Sequence, residues 1–254
     1  MAYHALLYRR SSEPYTVEIE FDGAVYPVRL RRHRQARRYT LRIQAATRDV
    51  VLTIPPRGTV KEASAFARKH GAWIVARLGR LPEAAPFAPG VIVPLRGVLH
   101  RIDHRSSARG TVWIETDATG AQLLCVAGQE PHLSRRVGDY LRREAKHDLE
   151  AASCKFAHEL GLMVRRVVVR DQSSRWGSCS TTGVLSFSWR LILAPSAVLD
   201  YLAAHEVAHL VEMNHSTKFW RLVQRLHPDH RAAKAWLDVH GADLHRYGLP
   251  NVAT

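Results

Sequence analysis

Cysteine is scarce in this chain: Cys125, Cys154 and Cys179 are three in 254 residues, widely spaced, with no C-x-x-C pair. That spacing excludes a disulfide framework, a cysteine zinc cage and a dithiol redox motif, and points to reduced intracellular thiols. Long apolar runs are also missing. No stretch approaches the roughly 20 residues of a membrane-spanning helix, and the opening MAYHALLYRRSSEPY has no apolar core of signal-peptide length. A cytoplasmic protein without membrane association is expected. Acidic residues are few, 23 Asp and Glu against 37 Lys and Arg, for a net charge of +14. Such a field favours acidic partners, nucleic acid and nucleotides among them, without naming one. There is no Walker-type phosphate loop, no carboxylate-rich magnesium site, no internal repeat and no low-complexity tract.

What is present reads as an α+β protein. From Tyr15 to Ile54 the text alternates in strand fashion (TVEIEF, YPVRLRR, YTLRIQ, DVVLTIP), with Asp22-Gly23 as hairpin chemistry. Pro55-Pro56-Arg57-Gly58 breaks the sheet, and Val60 to Leu81 reads as one helix with Ala63, Phe66, Ala67, Ile74 and Leu78 near helical spacing and Trp73 packed there too. After a Pro-rich segment, Val91 to Ala127 resumes β character. Pro131 to Leu160 reads as a long charged helix with a buried stripe of Val137, Tyr140, Leu141, Ala145, Leu149 and Ala152. A boundary near Gly128 is expected, with an N-terminal β-rich lobe with one helix over residues 1–128 and a catalytic domain over residues 129–254. Strands over Val164 to Arg170 and Val184 to Leu193, with Ser174 to Ser180 between them, form a β-hairpin feeding a helix from about Ser196 to Val211, with Asn214 as terminator.

That helix carries His205-Glu206-Val207-Ala208-His209. Two imidazoles four residues apart share a helical face, one turn apart, within reach of one zinc ion. Glu206 beside them is placed to act as general base for a metal-activated water and to return the proton to a leaving amine. A catalytic zinc takes a third protein ligand and keeps one position open. Glu212 qualifies if the helix continues, and His215 if it ends near Asn214. His215 is preferred, because imidazole is the better zinc ligand and N-H-S-T has turn character, leaving Glu212 as a carboxylate that is either solvated or orients a ligand histidine. His227, His230, His240 and His245 read as surface or packing residues, and Phe219, Trp220, Leu222 and Val223 as core that holds His215.

Taken together, Arg175-Trp176-Gly177-Ser178-Cys179-Ser180, Trp189-Arg190-Leu191, His205-Glu206-x-x-His209-Leu210 and Asn214-His215-Ser216-x-x-Phe219-Trp220 resemble the YgjP-like metallopeptidase-domain family. The likeness extends to Arg37-Arg38-Tyr39-Thr40-Leu41-Arg42, Ile54-Pro55 and Trp73-Ile74. Ser188 stands where the family commonly has asparagine. The resemblance implies a zincin-like (minigluzincin-type) catalytic lobe, related to SprT-type and WLM-type proteases, with the active-site helix behind a β-hairpin. It also implies a Zn2+ cofactor on His205, His209 and His215, and Glu206 as catalytic base.

In such an arrangement the strand Ser174 to Ser180 is an exposed edge to which an extended peptide can add, lined by Arg175, Trp176, Gly177 and Ser178. An alternative places Trp176 in the core with Gly177 permitting a bulge. Arg175, Arg190 and Tyr247 are candidates to stabilise an oxyanion, and Arg190 equally suits a salt bridge under the metal helix. Eight arginines, at 29, 31, 32, 34, 37, 38, 42 and 48, form a basic segment able to grip the phosphates of nucleic acid. The leading expectation is zinc-dependent hydrolysis of protein or peptide substrates, including proteins associated with nucleic acid. The alternatives are a metal-dependent phosphohydrolase acting on nucleoside triphosphates and a non-catalytic zinc-binding module.

Overall fold

The computed structural model describes residues 15–44, 48–81, 83–172 and 175–249. It divides into two compact units, Met1–Arg80 and Leu81–Thr254.

In the first unit, β1 (Tyr15–Phe21) and β2 (Ala24–Arg32) form an antiparallel hairpin, with β3 (Thr40–Ile43) and β4 (Val50–Ile54) completing a sheet of order β1-β2-β4-β3. The hairpin turns on Asp22 and Gly23, both at positive φ (52° and 75°), the handedness that matches strand twist. Strand alternation sends Ile19, Val28, Leu30, Val50, Leu52 and Ile54 to one face, where they pack with Ala63, Ala67 and Ile74. The expected single helix over Val60 to Leu81 is two, α1 (Val60–Lys69) and α2 (Gly71–Gly79). The break falls at His70, whose ring Nδ1 lies 2.8 Å from the Phe66 carbonyl, while Gly71 lies where a Cβ would strike the Phe21 ring. Trp73, expected to pack inside, is 45% exposed.

The second unit begins with β5 (Ile92–Leu95), β6 (Val98–Arg105), β7 (Val112–Thr116) and β8 (Gln122–Ala127), in the order β5-β6-β8-β7. The long helix α3 (Leu133–Glu159) follows, and every residue of its expected stripe is buried. Leu124 and Val126 of β8 share one core with Leu133, Val137 and Leu141 of α3. The compact units therefore part at Arg80 and Leu81, whereas patterning placed a boundary near Gly128. A single core shared by residues on both sides of position 128 is the physical reason for the difference.

A third sheet, β10-β11-β9, joins β9 (Arg166–Arg170), β10 (Gly177–Cys179) and β11 (Val184–Ser188), with β11 antiparallel to β10 and parallel to β9. The apolar run to Leu193 was read as strand throughout, yet it leaves the sheet at Ser188 and coils into a 3-10 helix, Trp189–Leu193. Helix α4 (Ser196–Ala208) packs against α3 and β10, so it is apolar nearly all round. Then come α5 (Thr217–Leu226), α6 (His230–His240) and a 3-10 helix, Gly241–Arg246. Among the described residues no helix is long and apolar enough to cross a membrane.

Candidate metal centre

Helix α4 stops at Ala208, so His209 is its C-cap and the chain turns back at once toward His215. The turn brings the ligand nitrogens of His205, His209 and His215 within 4.8 Å of one another, and the facing Nε2 atoms of His205 and His215 are 3.1 Å apart. No other group of three histidine, cysteine or acidic side chains with this spacing occurs among the described residues. Phe219, at the start of α5, stacks flat on His209 at 4.4 Å between ring centres and meets His205 and His215 edge-on. Ser216 caps α5, accepting from the Phe219 N–H, and so fixes the register of that ring.

The donor chemistry suits a soft-to-borderline cation. His209 Nδ1 lies 3.0 Å from the Glu212 carbonyl, which can only accept, so Nδ1 carries the proton and Nε2 keeps its lone pair. Glu212 therefore orients His209 through its backbone, and the expectation that its carboxylate does so is not met. Burial, reinforced by the other two imidazoles, pushes His205 down to about 3, and burial likewise lowers His209. Both rings are held neutral, the form that binds metal. Two neutral imidazoles with the His215 ring facing them leave nitrogens opposed in a half-buried cleft, and a divalent ion held by His205, His209 and His215 would relieve that opposition.

Glu206 is 4% exposed, and its carboxyl is pushed up to about 7 by burial, with the Arg175 cation opposing. Its neighbour across the cleft is Gly177 of β10, where a Cβ would collide with Glu206 Oε1. Glycine is needed here because the backbone presses against the carboxylate, a reason contained neither in the expectation that Gly177 lines the substrate edge nor in the alternative of a bulge. Cys179, two residues on, also borders this acid: burial, then the Glu206 charge, pushes its thiol up to about 11. Tyr201, one turn before His205 on α4, presents its ring edge to that histidine at 5.9 Å.

The remaining expected site residues separate. Ser178 lies in β10, opposite Ser186, and Ser174 is outside the described residues. Trp176 stacks on His245 at 5.0 Å and packs on the core, which favours the anchoring reading. Arg190 is 3% exposed and fully engaged: it pairs with Asp171 at 2.9 Å and donates to the carbonyls of Leu244 and Tyr247. It lies in the 3-10 helix and clips the C-terminal turn to the sheet, away from any substrate-binding role. Tyr247 meets Arg190 through its backbone carbonyl. Of the three oxyanion candidates, only Arg175 is brought into electrostatic reach of Glu206. His230 and His245 are buried packing residues.

The site thus brings together three histidines, two of them held neutral, a buried acid and an adjoining edge strand. The family model "YgjP-like, metallopeptidase domain" matches residues 37–240, and the chain belongs to that family. Among solved structures, the metallopeptidase zymogen of Pyrococcus abyssi abylysin is 25% identical, covering 39% of this chain and 97% of its own, at a TM-score of 0.34. No curated protein matches the chain.

Proposed function

We propose that this metallopeptidase is zinc-dependent and zincin-like, with His205, His209 and His215 holding the ion and Glu206 as general base on protein or peptide substrates. The observation that carries the reading is the convergence of three imidazoles beside a buried carboxylate that faces an edge strand. When bound, zinc supplies Lewis-acid activation of the scissile carbonyl and of the attacking water. Glu206 takes the proton released as the water's O–H breaks and delivers it to the departing amine as the C–N bond breaks, so the carboxylate ends as it began. A carboxyl near 7 is matched to both transfers. Ser188 N–H donates to the Trp176 carbonyl and Ser180 N–H to the Val184 carbonyl, so residues 176, 178 and 180 turn their backbone toward β11. Gly177 and Cys179 then direct theirs outward, where an extended peptide adds as the next strand beside Glu206. Neither the phosphohydrolase nor the non-catalytic alternative gains from this arrangement: the family is a peptidase one, and a closed structural site has no use for Glu206.

The test loads wild type and Glu206→Gln with zinc and assays both on unfolded casein and on nucleoside triphosphates. Zinc content should be equal in the two, and casein cleavage should fall on the order of 10²- to 10⁴-fold in the variant. Unchanged cleavage removes Glu206 as the base. If only triphosphate hydrolysis depends on Glu206, the peptidase reading gives way to the phosphohydrolase one.

A further inference from the structure

The arginines of the basic segment do not act as one surface. Arg29 pairs with Asp49 at 3.1 Å, Arg32 is bound to the carbonyls of Pro55, Pro56 and Gly58, and Arg48 donates to the Leu78 carbonyl. These three hold the first unit together. Arg31, Arg34, Arg37, Arg38 and Arg42 have no ion pair or hydrogen bond among the described residues, and all five are exposed. Their guanidinium groups remain available to an outside anion.

Two of them, Arg37 and Arg38, border a cavity of about 610 Å³ at the β3 edge of the sheet, between β3 and α1–α2. Its walls are aromatic. Tyr39 stacks on Phe66 at 5.7 Å and Phe66 on His70 at 4.2 Å, so the three rings form one stacked column. That column is anchored at its Tyr39 end, where the hydroxyl donates to Glu62 and accepts from the Thr59 N–H inside the α1 cap. Trp73 completes the lining with nearly half its surface open to solvent. A volume of this size suits a ligand of several hundred daltons. A planar π-face beside unpaired guanidinium groups selects a flat group that carries negative charge alongside it.

The charge distribution points the same way. Residues 1–80 hold 16 Lys and Arg against 6 Asp and Glu, a net of +10 out of the +14 of the whole chain.

We propose that this cavity of the first unit is a binding site for single-stranded nucleic acid, one unstacked base resting on the Trp73 ring beside the Tyr39–Phe66–His70 column and the flanking phosphates on Arg37 and Arg38. An isolated base stacks here only if freed from a duplex, so the site discriminates against double strands. The site lies wholly within residues 37–73 and requires nothing of the metal centre.

The experiment is fluorescence anisotropy of a labelled 12-nucleotide oligothymidylate with the full-length chain across a salt series. Binding should weaken linearly on a logarithmic salt scale, and the Arg37→Ala/Arg38→Ala variant should lower that slope by about 1.4, roughly 0.7 for each phosphate released on a single strand. Trp73→Ala should weaken binding about 5- to 150-fold with the salt slope unchanged, as loss of a stacking partner requires. All three positions are exposed, and far-UV circular dichroism and urea denaturation of each variant, expected to match wild type, report an intact first unit. Four results overturn the proposal. These are no binding at low salt, wild-type affinity in both variants, a matching duplex that binds as tightly as the single strand, and equal competition by polyglutamate. The last would assign the cavity to acidic peptide instead.

Discussion

The two four-stranded sheets of this protein are wired alike and charged differently. Each is an antiparallel hairpin followed by a strand pair whose second member returns parallel to the hairpin, giving the orders β1-β2-β4-β3 and β5-β6-β8-β7. Each hairpin turns on two residues at positive φ, Asp22-Gly23 in one and Arg96-Gly97 in the other. Aligned on those turns and on strand register, the cross-strand row Arg29–Val51–Arg42 of the first sheet corresponds to Asp103–Cys125–Trp113 in the second. The acid of the second row binds Arg105, which also pairs with Glu115, and Arg96 is held between Glu144 and Asp148 of α3. In the second sheet the arginines are thus neutralised within the fold, and the helix that follows carries the core beneath the metal centre. In the first they are largely left facing outward. One wiring thus supports two uses: a scaffold for chemistry and a surface for an anion.

Four substitutions sharpen or break that division, in descending order of effect. Phe219→Ala removes the ring that touches all three imidazoles and leaves a core cavity. It should cost about 3–5 kcal/mol in urea denaturation and weaken zinc binding, and a loss under about 1 kcal/mol would show that the triad stands without it. Gly177→Ala forces the Glu206 carboxylate aside. Casein cleavage should drop on the order of 10²-fold, about 2.7 kcal/mol in barrier, with zinc content and oligothymidylate binding unchanged. A wild-type rate would disconnect β10 from the acid.

On the first unit, Thr59→Ala deletes the capping box in which Thr59 Oγ1 accepts from Glu62 N–H and Glu62 Oε2 accepts from Thr59 N–H. A loss of about 1 kcal/mol is expected. Oligothymidylate affinity should fall with it, because Glu62 also anchors the Tyr39 wall. Asp148→Asn probes the neutralised arginines. Burial opposes ionisation of Asp148, yet its hydrogen bonds from Arg96 outweigh that and hold the carboxyl below its usual range. A depressed acid stabilises the fold above its unfolded pKa of about 4, and that contribution is lost as pH falls through the folded value. Wild type should exceed the variant by up to about 1 kcal/mol at pH 7, with the gap closing toward pH 3. A gap that widens on acidification would contradict the pairing.

Local chemistry made some of this legible in the sequence and tertiary packing hid the rest. The hairpin at Asp22-Gly23, the buried stripe of α3 and the histidine spacing each depend on neighbours a few residues away, and each is found where patterning placed it. The stretch N-H-S-T was legible only in part: Ser216 caps α5 as its turn character implied, but α4 ends at Ala208, short of the expected Val211 and of Asn214 as its terminator. Three features depended on distant partners. Gly177 is required by a carboxylate 29 positions later. Arg190 reads as a site residue until Asp171 and two C-terminal carbonyls claim it. The repeated sheet left no repeat in the sequence, because strand order is set by which edges pair and not by which residues recur. The first sheet's arginines were visible as a cluster, but only the fold separates the three that are spent on carbonyls and Asp49 from the five that are free.

The most direct test of the metal centre is anomalous scattering at the zinc absorption edge from crystals of the zinc-loaded chain. The expected result is one ion bound through Nε2 of His205, His209 and His215, with Glu206 close by but unbound. An ion held by Cys179 or by the Glu212 carboxylate, or a full zinc complement located elsewhere in the chain, would contradict the account.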